Sequence, residues 1–191
     1  YYARYRRRRR AAEAYHQRAA AAAAELAALE QWAVDLDLAE DRPAIDAVRD
    51  ALVAAGHLPR GRTRPAPAVR PLALFSSDGF KMLVGRNSRQ NEQVTFERSA
   101  RGDLWLHARG VPGGHVVVQS GGRVVPEATL LEAAAIAAHY SGARGEGRVT
   151  VAVTDIRNVR HMRGGSPGMV TYDHEWTLTV QPTSPQDLRL A

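Results

Sequence analysis

Four side chains in one short stretch hold most of the chemistry this sequence offers. They are Asp103, Trp105, His107 and His115, within DLWLHARGVPGGHVVV at residues 103–118. An acid and two imidazoles can ligate a metal or move protons as a general acid and base. No short ligand spacing ties them together, and a carboxylate that merely holds a buried histidine uses the same residue types. Two basic runs suggest a different chemistry. Arg86, Asn87, Arg89, Gln90 and Asn91 form one; Arg157, Arg160, His161 and Arg163 form the other, with Arg109 alone between them. With Trp105 and His107 these supply phosphate forks, amides for base edges and ring faces for stacking, the means of holding RNA. An ordinary basic surface around a core tryptophan fits the same residues.

Other motifs fail on their own chemistry. Gly164-Gly-Ser166-Pro167-Gly168 fits the expression of a nucleophile elbow, but the residue after the serine must donate its N–H, and proline has none. It reads as a Gly/Pro-rich turn. The single lysine, Lys81, follows Phe80, so no Walker loop exists. Without cysteine there is no disulfide, zinc ribbon or thiol nucleophile, and no apolar run reaches the length of a membrane span. No cofactor is implied. The formal charge of +6 exceeds what a choice of Arg over Lys explains and favours an anionic partner.

The elements that must position these residues follow from pattern. Tyr15, Ala19, Ala22, Leu26, Leu29, Ala33 and Leu36 alternate steps of four and three, a coiled-coil seam on an Ala-rich helix. Arg6, Arg7, Arg8, Arg9 and Arg10 open that helix as a candidate RNA or ribosome contact, with a solvated helix face or a nuclear-import signal as the other readings of such a run. A second helix, capped by Asp41 and ended by Gly56, carries Ile45, Val48, Leu52 and Ala55 and covers only the end of the seam. The seam therefore calls for an upstream helix or a second copy of the chain. The opening in mid-helix, without methionine or cap, reads as a fragment of a longer protein. The division is 1–57 helical, 58–71 an Arg/Pro linker, and 72–191 an α+β domain with a mainly antiparallel sheet. Residues 72–85 predict a hairpin, and Asn87 caps a helix over 88–100. Residues 103–118 predict two strands and a turn, with Asp103, Trp105 and His107 on one face and Leu104 and Leu106 on the core face. Gly121-Gly122 reads as a second hairpin turn, and Thr129 with Glu132 as the capping box of a buried helix. Residues 148–159 and 169–181 add two or three strands.

In order and spacing, several of these segments resemble one family. They are Val84-Gly-Arg-Asn87, Gln90-Asn91, Asp103-Leu-Trp-Leu-His107, Val111-Pro-Gly-Gly-His115, Thr129-Leu-x-Glu-Ala-Ala134, Ala137-Ala-His-Tyr-Ser141 and Pro167-Gly-Met-Val170-x-Tyr172. They look like the C-terminal NFACT-R domain of NFACT proteins, over about 72–182. Residues 1–57 are similar to the end of that family's coiled coil. The resemblance implies an RNA-binding, non-enzymatic and cytoplasmic module. Full-length relatives bind obstructed large ribosomal subunits and tRNA and support C-terminal tailing of stalled chains; tailing by this fragment alone is not expected. Matched positions are Arg86, Asn87, Gln90, Asn91, Asp103, Trp105, His107, Gly113, His115 and Pro167. Two departures stand out: Gly114 where serine is usual, and arginine or neutral residues where lysines usually precede Pro167. A fibronectin-binding adhesin and a metal or acid/base hydrolase are the alternative functions.

Overall fold

The computed structural model describes residues 2–60 and 70–188. Most of the predicted Arg/Pro linker, 61–69, lies outside the described residues. Helix α1 spans Tyr2–Asp37, and α2 spans Arg42–Ala54. Asp41 caps α2 as its spacing predicts, its carboxylate accepting from Ala44 N at 2.8 Å. The strands of the α+β part are β1 (Leu72–Phe75), β2 (Lys81–Val84), β3 (Leu104–Ala108), β4 (Val116–Gln119), β5 (Val149–Asp155), β6 (Val159–His161), β7 (Val170–Tyr172) and β8 (Trp176–Val180). Six of them form one antiparallel sheet in the order β1-β2-β4-β3-β5-β8, and β6 and β7 form a separate hairpin. Helix α3 is Ser88–Glu92 and runs into a π-helical turn, Gln93–Glu97; α4 is Glu127–His139.

The central strands of the sheet are buried on both faces, which the strand alternation alone does not reveal. One face presents Met82, Val84, Leu106, Val116, Val118, Val151 and Val153 to α4, whose Ala133, Ala134, Ile136 and Ala137 are sealed from solvent. The small side chains of α4 let it lie close to the strands, and its lack of a polar face is the mark of a buried helix. The other face has its own core of Leu83, Val94, Trp105, Val117 and Val159, covered by the π-turn and the β6–β7 hairpin. Trp105 is 0% exposed. The face expected to display Asp103, Trp105 and His107 is therefore largely an interior.

Three local expectations are corrected. The cap of α4 is Pro126, not Thr129. Thr129 Oγ1 instead donates to Asp78 and lies as close to the Ser76 hydroxyl, both at 2.9 Å, and Glu132 accepts from Ser77 N at 3.0 Å. The residues read as a capping box thus bind the β1–β2 turn to the helix. Gly121-Gly122 leads from β4 into α4 and forms no hairpin. The predicted seam of α1 is not the face that packs: Leu26, Leu29 and Leu36 are exposed, whereas Ala28, Trp32, Asp35 and Leu38 are buried. Ala28 and Trp32 meet Val48 of α2, with Leu52 and Met169 beside them. The packed stripe is rotated from the seam by one residue, because the broad indole of Trp32 sets the contact.

Candidate nucleic-acid interface

The turn between β3 and β4 is held from several directions. Asn91, 1% exposed on α3, donates to Gly113 O at 3.0 Å and accepts from His115 N at 2.9 Å. Gln31 of α1 makes a two-point contact with the same glycine, donating to its carbonyl at 3.3 Å and accepting its N–H at 3.1 Å. Ser141, just past α4, pairs with Gly113 by an isolated bridge, so a Cβ at 113 would lie 2.7 Å from Ser141 Cβ. At position 114 a Cβ would collide with Gly85 O, which fits the glycine found there. Asp35 completes the junction. Its carboxylate is buried and accepts from Ser88 N and Oγ, both at 2.9 Å, and from Gln31 Nε2 at 2.7 Å. Burial pushes its pKa up to about 6, against the pull of those hydrogen bonds.

Asn87 caps α3, accepting from Gln90 N at 2.9 Å, and Gln90 accepts from Arg86 N at 3.0 Å. Arg86 itself is part-buried, 3.7 Å from Glu40. Asn87, Gln90 and Asn91 are thus internal scaffolding in this conformation, while Arg89 of the same run is exposed. Asp103 is also scaffolding, its carboxylate accepting from Ala100 N at 2.7 Å and Ser120 N at 2.9 Å. His107 lies four residues further along β3, so Asp103 and the imidazoles do not converge. Among the described residues no group of three or more His, Cys, Asp or Glu is placed to hold a metal ion.

The imidazoles and Trp105 form one aromatic cluster. Trp105 lies 5.6 Å from His107, 5.0 Å from His115 and 4.9 Å from Tyr172, centroid to centroid. His115 Nδ1 is 2.9 Å from Thr95 Oγ1, in the π-turn. Loss of hydration lowers the pKa of half-buried His107 to about 4, and lowers that of buried His115 well below the usual value, with His107 as a second cause. Both rings are neutral near pH 7. They serve as packing groups and hydrogen-bonding partners there, not as cations.

The other exposed guanidinium groups are elsewhere. Arg157, Arg160 and Arg163 stand on or beside the β6–β7 hairpin, all exposed. Arg157 lies 3.4 Å from Asp155 and Arg160 2.9 Å from Asp173, while Arg163 shows no ion pair among the described residues. Glu92 fixes the hairpin to α3: one carboxylate oxygen is 2.6 Å from His161 Nε2 and the other accepts from Gly168 N at 2.9 Å. His161 also stacks on Phe96 at 3.7 Å. Arg109 is exposed and 3.7 Å from Glu175. Arg6 to Arg10 are exposed on the first turns of α1, with Arg9 paired to Glu13 at 3.1 Å. Sequence reasoning missed Gln31, Asp35, Glu92 and Thr95. Only the lone tryptophan of α1, beside Gln31 and Asp35, marked the packed face.

Comparison with known proteins assigns this architecture. Residues 70–172 match the model of the NFACT protein RNA binding domain. The whole chain is 34% identical to the Rqc2 homolog RqcH of Bacillus subtilis, covering 34% of that protein. Over 73% of the chain it is 36% identical to the Rqc2 homolog RqcH of Streptococcus suis, covering 25% of it. The chain thus spans about a third or less of these relatives. A solved structure, the C-terminal part of the fibronectin/fibrinogen-binding protein from Streptococcus suis, superposes with a TM-score of 0.90 at 30% identity. It is matched over 100% of this chain and 76% of that one. On this fold and these matches, the chain belongs to the NFACT protein family, with the family's RNA binding domain at residues 70–172.

Proposed function

We propose that this chain is the non-catalytic RNA-binding part of a ribosome-associated quality-control factor, with tRNA and the large ribosomal subunit as its partners. The observation that carries the reading is the exposed row Arg157, Arg160 and Arg163 on a hairpin pinned by Glu92, inside a domain of the NFACT RNA-binding type. Two of these arginines face carboxylates, but exposed ion pairs are weak, and phosphates compete well for a guanidinium fork. Arg109 and the arginines at 6–10 contribute further phosphate contacts. The buried Asn87, Gln90, Asn91, Asp103, Trp105 and His115 act by shaping the surface that carries the cations.

The test is binding of tRNA to the chain across a salt series. The logarithm of affinity should fall linearly with the logarithm of salt, as release of counterions requires. Replacing Arg157, Arg160 and Arg163 by Ala should weaken binding and flatten the slope by about one for each arginine that holds a phosphate, with Tm unchanged. A salt-independent affinity, or none, refutes the reading. The name of the superposed Streptococcus suis protein supports a second one, fibronectin binding. Capture of the chain by immobilised fibronectin, unaffected by excess tRNA, would favour it.

A further inference from the structure

The end of the sheet around Asp103 gathers arginines, three of which neither the basic runs nor the family motifs include. Asp103 is the knot of three loops. Its carboxylate receives Ala100 N from the loop before β3 and Ser120 N from the loop after β4. Its carbonyl accepts Ile156 N at 2.9 Å, from the loop after β5. Each loop displays arginine. The first carries Arg98 and Arg101, and Arg98 O is bound by Gln119 Nε2 at 3.0 Å, next to Ser120. The second carries Arg123, whose backbone N–H reaches Ser120 O at 3.1 Å and whose guanidinium lies 4.0 Å over the Phe80 ring. The third carries Arg157. All four are exposed. The side chains of Arg98 and Arg101 form no ion pair or hydrogen bond among the described residues. The neighbouring acids on these loops are Glu97 and Asp155, the latter already beside Arg157.

We infer that these four arginines form a phosphate-binding rim for RNA, distinct from the hairpin tip, with Asp103 as its positioning residue. This rests on the RNA-binding reading above and names a surface for it. A carboxylate is needed at the knot because two backbone donors from different loops converge on it, and a buried acceptor of that kind fixes loop geometry. The cations then sit on short, tethered loops, and little of their freedom is lost when phosphates arrive. Phosphate is the chemistry four separated forks fit, since each guanidinium takes a phosphate in two-point fashion.

The test compares three forms of the full 191-residue chain: unmodified, Arg98→Ala with Arg101→Ala, and the hairpin form in which only Arg160 and Arg163 are replaced by Ala. Each is titrated with tRNA and with a single-stranded RNA of equal length over a salt series. The rim variant should keep its Tm, bind more weakly and lose about 0.7 to 0.9 of salt slope per arginine. A rim variant that matches the unmodified chain in affinity and slope, while the hairpin form is weakened, overturns the rim and leaves RNA binding standing. Failure of the unmodified chain to bind either RNA overturns both. Equal, competing binding of polyglutamate would overturn the assignment to nucleic acid.

Discussion

Asn91 shows how much of this surface depends on groups that never reach it. Its two hydrogen bonds tie α3 to both ends of the Gly113–His115 segment. Asn91→Ala leaves the buried His115 N–H unpaired and Gly113 O with Gln31 as its remaining donor, and a drop of about 1–3 kcal/mol is expected in urea unfolding. Gly113→Ala should be at least as harmful, because Ser141 leaves no room for its methyl. Protonation gives a further prediction at this scale. His107 and His115 have depressed folded values, so the unfolded chain takes up protons first as pH falls below about 6.5. Stability is lost from there down toward about 4, where His107 titrates in the fold. Asp35 works in the opposite sense: its raised value means the fold gains protons first between about 6 and 3.8, offsetting part of the loss. Thermal melts should therefore show a falling Tm from pH 6.5 to 4, and His107→Gln should flatten that fall. The capping role of Asn87 was legible in the sequence because it acts within three residues. The pairings of Asn91 and His115 were not, since they join positions 22 and 24 residues away.

Periodicity identified the elements better than their neighbours. The antiparallel α+β sheet, the Asp41 cap and the buried α4 are as the patterns predict. The seam of α1 misled, since alternation of four and three marks an apolar stripe and does not say which element it meets. Trp32, a single large residue one position off that stripe, sets the packed face. Trp32→Ala should cost about 3–5 kcal/mol of packing between α1 and α2. Limited proteolysis should then cut within α1 and α2 first, with the sheet domain surviving longer. Likewise Thr129 and Glu132 match a cap in sequence, but the tertiary pull of the β1–β2 turn takes both side chains. The second core could not be read from β3, because the hairpin that covers Trp105 begins more than fifty residues later.

For the whole molecule, the sheet is a wall with helix on one side and a hairpin on the other, so basic groups are confined to its ends and to the covering elements. That arrangement puts Arg157, Arg160 and Arg163 on and beside the covering hairpin and Arg98, Arg101 and Arg123 on the loops at one end of the sheet. The shape has one more consequence. Helix α1 is 36 residues long and is gripped through Ala28 to Leu38, while residues 4–23 are all exposed. At 1.5 Å per residue, Arg8 stands about 36 Å along the axis from Trp32. Phosphates along one strand repeat at roughly 3.4 Å in a DNA duplex, so about ten steps of such a probe fit that gap. Arginines 6–10 should thus add affinity only above a length threshold: duplexes much shorter than this should bind equally with or without them, and longer ones should not.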